Sequence, residues 1–155
     1  SALGLLEPVD RLDLGPAKVR VYHYCQKVWS LYDAVGMCKF VGAPIGALAL
    51  DKLVEYVRAV TGWNASLWEL LKIAERSEAM ARLFNCREGF TPADDILPER
   101  MFEGLENGPL KGKAIDRGEL QQALRTYYQM QGWDEESGRP TPARLAELGL
   151  SWAEI

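Results

Sequence analysis

Three chemically capable side chains crowd one short stretch, "LYDAVGMCKF": the carboxylate of Asp33, the thiol of Cys38 and the ammonium of Lys39, with Gly36 among them. Glycine in that position ends a helix, because it takes the left-handed backbone that other residues avoid. A turn after such an end exposes successive backbone N–H groups, and Lys39 adds positive charge. That combination suits an anion, or a thiolate bound to a metal centre. It suits a second reading as well, a glycine-capped helix followed by a buried cysteine, since free cysteines are among the most buried residues. Residue types alone leave both open.

The remaining candidates are few. The chain has three cysteines, Cys25, Cys38 and Cys86, and one histidine, His23. Their spacing forms no CxxC motif, and an odd number closes no disulfide framework. The cysteine usage therefore points to a reducing, cytoplasmic setting. Alone, the chain cannot give four thiolates to an iron–sulfur cluster, and one histidine argues against most zinc-enzyme constellations. Cys25 and Cys86 fall on apolar helical positions and read as packing. His23 sits on the same helix as Cys25 and reads as packing rather than as a general acid or base. Asn85, Arg87, Asp94, Asp95 and Arg100 make a polar patch of caps and buried ion pairs. Trp63, Trp68 and Trp133 read as core or domain-interface anchors.

The elements that position these residues are helical throughout, and the expected fold class is all-α, a multihelical domain over residues 1–155. "GPAKVRVYHYCQKVWSLYDAVG" has a proline where a first turn tolerates one. Val21, Cys25, Val28, Tyr32 and Val35 then form an apolar stripe. "FVGAPIGALA" is a connector. A second helix follows, with Leu50, Leu53, Val54, Val57 and Val60 inward, closed by Gly62. The longest helix opens on the capping box of Ser66 and Glu69. It carries Leu70, Ile73, Met80 and Phe84 on one face, with Glu78 and Arg82 as a surface pair. Gly89 stops it. Thr91, Pro92 and Asp94 make a capped turn, and a loop-rich waist runs over 90–115. A further helix is capped by Asp116 and Glu119, with Leu120, Leu124 and Tyr127 inward. A short last helix is capped by Thr141 ahead of Pro142. The waist divides the pattern into lobes at about 16–89 and 116–150.

Composition narrows the function. With 48% hydrophobic and 26% charged residues the chain is an ordinary globular sequence, able to bury a core at this length. A net charge of −4 without a block of like charges argues against nucleic acid or a basic membrane-binding patch. No apolar run reaches the ~18 residues of a membrane span. "SALGLLEPVD" lacks the order of a signal peptide and an initiator methionine, as expected of an excised or trimmed piece. No GxGxxG, P-loop, nucleophile elbow or internal repeat is present.

Three ordered motifs carry a family resemblance. "YDAVGMCKF" resembles the D-x-x-G-L-C motif near the C-terminus of the tungsten-containing aldehyde ferredoxin oxidoreductases. "VTGWNASLWELLKIAERSEAMARLFNCREGFTPADDILPER" resembles that family's TGW turn, RLFNxREGF helix end and DDxLPxR. "ALRTYYQMQGWDEESGRPTPARLAELGL" resembles its closing segment. The likeness covers residues 16–150, with Met37 where leucine is usual and Cys86 where leucine is frequent. It implies the C-terminal domain of an enzyme that oxidises aldehydes to carboxylic acids. Electrons would pass from a tungsten or molybdenum bis-pterin through a [4Fe–4S] cluster to ferredoxin or another electron-transfer protein. Cys38 falls on the fourth cluster ligand, the other three lying in a preceding domain. Asp33 falls on the pterin-contacting carboxylate, and Met37, Cys38 and Lys39 on further pterin contacts, largely through backbone groups. The polar patch acquires a second reading, as wall of a substrate channel. The implied partners are the N-terminal and middle domains of the same enzyme, and a homo-oligomer is compatible. The chain by itself is expected not to turn over. The rival from another class is a free-standing helical interaction module without a cofactor, which explains the helical pattern but not the register of Asp33, Gly36, Cys38 and Lys39.

Overall fold

The computed structural model describes residues 8–42 and 48–153. Within them lie helices α1 (Pro16–Ala34), α2 (Leu50–Thr61), α3 (Leu67–Arg87), α4 (Arg117–Gln131) and the short α5 (Pro142–Glu147), with 3-10 turns between and after them and no β-strand. The fold is all-α. The centre of the expected 40–49 connector, residues 43–47, lies outside the described residues, as do 1–7 and 154–155.

Local chemistry sets the helix ends. Ser66 Oγ accepts from the Glu69 amide at 3.3 Å, and the Glu69 carboxylate accepts from the Ser66 amide at 2.7 Å, which satisfies two orphan donors at once. Asp116 accepts from the Glu119 amide at 2.9 Å, and Thr141 from the Arg144 amide at 3.2 Å. Pro16 and Pro142 stand in first turns, where no N–H is missed.

α1 packs against both α3 and α4. One apolar cluster joins Leu31 and Tyr32 of α1, Leu53, Val54 and Val57 of α2, and Leu70 and Ala74 of α3. A second joins Ala79 and Leu83 of α3 to Leu145, Leu148 and Leu150. Between them α3 carries a polar seam. Glu75 accepts from Lys27 of α1 at 2.6 Å, from Lys72 at 2.8 Å and from Arg144 of α5 at 2.8 Å.

Periodicity misplaced several faces. On α3 the buried arc is Leu70, Ala74, Glu75, Glu78, Ala79, Arg82 and Leu83, which leaves Met80 and Phe84 exposed on the opposite side. Three charged residues belong to that arc because their partners come from distant elements, so hydrophobicity alone rotates the helix the wrong way. Glu78 and Arg82 are both buried and do not pair with each other: Glu78 accepts from Ser30, and Arg82 binds Asp95. Val60 is 84% exposed, because α2 buries only one narrow stripe, against α1 and α3. On α1 the buried residues are Val19, His23, Leu31 and Tyr32 rather than the single expected stripe, since two helices cover it. Leu120, Leu124 and Tyr127 are half-buried, while Tyr128 and Gln131 are the buried side chains of α4. Trp63 and Trp68 are exposed and are not core anchors.

Candidate functional site

The turn after α1 is built entirely from local hydrogen bonds. The Met37 amide donates to the Tyr32 carbonyl at 2.8 Å and the Gly36 amide to the Asp33 carbonyl at 3.1 Å. This pair of bonds is the Schellman helix end, and it needs Gly36 at φ +68°. Met37 then tucks against the apolar cluster that contains Tyr32, as the hydrophobic contact of that motif requires. Cys38 follows in extended conformation and starts a 3-10 turn over Lys39–Val41, with the Val41 amide donating back to the Cys38 carbonyl at 3.1 Å. Gly42 closes the turn directly over the Tyr32 ring, where a Cβ would fall 1.8 Å from the phenolic oxygen. Backbone hydrogen bonds and one buried tyrosine thus hold a short exposed loop in a single shape.

The loop presents Cys38 as an exposed free thiol. Asp33 and Lys39 flank it and pair at 2.7 Å between Oδ2 and Nζ, and the Lys39 ammonium lies 5.8 Å from the Trp29 ring centroid. The sequence-nominated residues therefore come together: Asp33, Cys38 and Lys39 at the surface, Met37 as the anchor beneath. Among the described residues the Cys38 amide donates to no acceptor, so one backbone donor stands free beside the thiol. An exposed thiol, a free amide, a carboxylate with an oxygen to spare and a cation make a donor set suited to an iron ligand beside a group with N–H edges.

The other candidates stay apart. Cys25 lies in mid-α1, about 13 Å along the axis before Ala34. Cys86 lies near the end of α3, with its sulfur 3.9 Å from the Gly138 carbonyl. Both are half-buried, and among the described residues no grouping of three His, Cys, Asp or Glu side chains suits a metal. His23 is buried beside Tyr24 and Tyr127. Among the described residues its Nδ1 has no hydrogen-bond partner, and burial, helped by Lys27, holds it down at about 4. It is a neutral packing residue. In the polar patch, Asp94 caps Thr91 at 2.8 Å and Asp95 binds Arg82 at 2.8 Å. Arg82 also donates to the Gly138 carbonyl at 2.7 Å and lies over Trp133, so it ties the waist to α3.

Sequence reading missed a cleft of about 1000 Å3 bounded by α1, α3 and α4, with Asp33 on its rim. A polar line crosses its floor. The Tyr127 hydroxyl donates to Gln26 at 2.6 Å, Gln131 Nε2 donates to Tyr127 at 2.8 Å and to Glu78 at 3.1 Å, and Ser30 donates to Glu78 at 2.7 Å. Burial pushes the Glu78 carboxyl up. The available signal was Glu78 itself, a charge on the same arc as Ala74 and Ala79.

Comparison with known proteins gives the family of the chain. Residues 1–150 match the family model described as aldehyde ferredoxin oxidoreductase, domains 2 and 3. The chain is 36% identical over 150 residues to a tungsten-containing aldehyde ferredoxin oxidoreductase of Pyrococcus abyssi, covering 96% of this chain and 24% of the relative. A protein of the same name from Thermococcus kodakarensis is 35% identical over 151 residues, with the same coverage. The WOR-like subunit of an aliphatic sulfonate oxidoreductase from Pyrococcus furiosus is 32% identical over 133 residues, covering 82% of this chain and 20% of the relative. The chain belongs to the aldehyde ferredoxin oxidoreductase family, a family of oxidoreductases. It spans about a quarter of the length of the tungsten-containing relatives it matches. Among the described residues no helix is long and apolar enough to cross a membrane.

Proposed function

We propose that this chain supplies one cluster thiolate and part of a pterin cradle to an aldehyde-oxidising enzyme, with the remaining ligands donated by other domains of that enzyme. The observation that carries the reading is the rigid turn, which puts an exposed Cys38 between Asp33 and Lys39 in the register of the D-x-x-G-x-C motif. When bound, a tungsten or molybdenum bis-pterin and a [4Fe–4S] cluster supply the redox chemistry that turns an aldehyde and water into a carboxylic acid and passes electrons to ferredoxin or a similar carrier.

The chain's own residues bind and orient. Cys38 gives its thiolate to iron, where one sulfur is one corner of a site that needs four. Asp33 uses the carboxylate oxygen not held by Lys39 to accept from pterin N–H groups. Lys39 balances the negative charge, and the free Cys38 amide donates to the same neighbour. By this reading the chain alone carries no turnover. Trp63 and Trp68, exposed here, fit the faces that neighbouring domains cover.

The test replaces Cys38 by serine in the enzyme that contains this chain, beside Cys25→Ser and Cys86→Ser. Serine is a harder and poorer iron ligand. Cys38→Ser should weaken or shift the paramagnetic resonance of the reduced cluster with little change in melting temperature. The other two should lower melting temperature and leave the cluster signal normal. An unaltered cluster in Cys38→Ser removes this residue from the site.

A further inference from the structure

Trp29 is half-buried on α1, yet among the described residues it joins neither apolar cluster. It stands one helical turn before Asp33, which places the two on one face of α1. The turn after α1 brings Lys39 back onto that face. Its ammonium meets Asp33 Oδ2 at 2.7 Å and lies 5.8 Å from the centre of the Trp29 ring. The carboxylate alone is a poor hold. The Lys39 and Asp33 side chains are 39% and 63% exposed, and an ion pair at that exposure barely repays the rotamer freedom a lysine gives up. It also leaves the ammonium free to slide between the two carboxylate oxygens. The indole face breaks that symmetry, because it attracts the cation from one side and does so better than any other aromatic ring.

The same pairing of ring and carboxylate on one cation recurs elsewhere in the molecule. Lys72 lies 4.8 Å from the centre of the Trp68 ring and binds Glu147 of α5. Arg82 lies 4.9 Å from Trp133 and binds Asp95 of the waist. In both cases the fixed cation ties distant elements together. Lys39 ties no distant elements: its ring and its carboxylate both belong to the helix that its own turn follows. What the fixed charge serves is therefore the surface beside it, and that surface carries the exposed thiol of Cys38.

We propose that Trp29 is a positioning residue for the Cys38 turn. It holds the Lys39 ammonium against one oxygen of Asp33, so that a fixed positive charge stands beside Cys38 and the second Asp33 oxygen stays open to a ligand. The inference rests on the reading of that turn as part of a cluster and pterin site. A positive charge beside an iron–sulfur cluster favours the reduced, more negative form, since net local charge helps to set its potential. Lys39 released from the ring spreads over its rotamers in water and is screened by salt, so the cluster becomes harder to reduce.

Potentiometry of the cluster, followed by paramagnetic resonance in the enzyme that contains this chain, tests this with Trp29→Leu, Trp29→Phe, Lys39→Met and the double variant Trp29→Leu/Lys39→Met. Trp29→Leu should lower the midpoint potential by most of the amount that Lys39→Met lowers it. The double variant should add nothing to Lys39→Met. Trp29→Phe, whose ring is a weaker cation partner, should fall between Trp29→Leu and wild type, and carries the comparison if Trp29→Leu fails to fold by circular dichroism. A tryptophan that only packs would lower melting temperature and leave the potential in place. The chain by itself gives a readout without the cluster. In magnetic resonance spectra with isotope-labelled lysine, the Lys39 ε-methylene should lie upfield of a solvated lysine through the indole ring current. It should return to the solvated position in Trp29→Leu, while Lys72 over Trp68 keeps its shift. An unshifted Lys39 signal in wild type overturns the proposal. So do a wild-type potential in Trp29→Leu, a potential indifferent to Lys39→Met, and additive shifts in the double variant. The two readings fail separately: an unaltered cluster in Cys38→Ser ends the assignment of the turn, whereas these outcomes in an enzyme whose cluster does respond to Cys38→Ser end only the role of Trp29.

Discussion

Glu75→Gln tests the polar seam that holds three helices together. Glu75 is 5% exposed and accepts from Lys27, Lys72 and Arg144. Burial alone would push its carboxyl up, yet the bonds from Lys27 and Lys72 hold it at about 2, against 4.5 when unperturbed. At about 1.4 kcal/mol per unit, that difference sets a ceiling of roughly 3 kcal/mol, which solvent around the lysines reduces to about 2. The geometry gives a similar figure by another route. Stranding a fully buried charge costs about 3–5 kcal/mol. Here Glu147 already binds Lys72 and Arg144, so glutamine leaves only Lys27 without a counter-charge. The expected loss at pH 7 is therefore about 2–3 kcal/mol, or a fall in Tm of roughly 5–10 °C for a chain of this size.

Urea unfolding followed by circular dichroism reads the loss, and pH adds a second axis. A carboxyl whose folded value is depressed contributes stability that is complete above 4.5 and is lost as pH falls toward 2. Wild type should show that acid-side loss, and Glu75→Gln should show a smaller one, left by the other depressed carboxyls such as Glu69 and Glu147. Adding Lys27→Met to Glu75→Gln should restore about 1 kcal/mol, because it removes the stranded cation. A loss below about 0.5 kcal/mol with an unchanged acid profile would show that the seam is screened like a surface ion pair, and the account of why α3 buries charge would fail.

Three further outcomes follow from the same structure. His23 is held at about 4, below its ordinary 6.5, so its contribution is complete above pH 6.5 and is lost as pH falls toward 4. His23→Phe should remove up to about 2 kcal/mol of pH dependence in that window, measured by urea titrations at several pH values. Gly36→Ala meets no atom of the described residues within 4 Å but must hold φ +68°, and should cost about 1 kcal/mol in the same assay. In the enzyme that contains this chain, Asp33→Asn should lower pterin and metal content, read by elemental and fluorescence analysis, while helix content stays. Equal content in mutant and wild type removes Asp33 from the cradle.

What the sequence made legible was local. The Ser66–Glu69 box, the caps at Asp116 and Thr141, and the stops at Gly36 and Gly62 each depend on residues within one turn, so spacing predicted them. The α3 face did not depend on local residues. Glu75, Glu78 and Arg82 become interior only because Lys27 and Ser30 from α1, Arg144 from α5 and Asp95 from the waist arrive to pair with them. A periodicity reading treats every charge as a solvated face, so it turned α3 toward Met80 and Phe84 and hid the cleft.

The same distinction explains why the candidate site was the readable part. The Asp33–Lys39 turn is shaped by two backbone bonds from Gly36 and Met37 and by one close contact between Gly42 and Tyr32. None of these requires a distant helix, so the motif carries its geometry with it. The buried seam works the other way. It places α1 against α3 and α5, and so fixes where the far end of α1 delivers the turn, without contributing any residue to it. Variants in the seam should therefore lower the stability of the whole chain while leaving the Asp33–Lys39 geometry intact in the molecules that remain folded. Variants at Gly36 should distort the turn at a small cost in stability, and variants at Gly42 at a larger one, because a new Cβ runs into the buried Tyr32 ring. Thiol-labelling kinetics at Cys38 separate these two classes, because the exposed sulfur reports the shape of its own loop rather than the strength of the core.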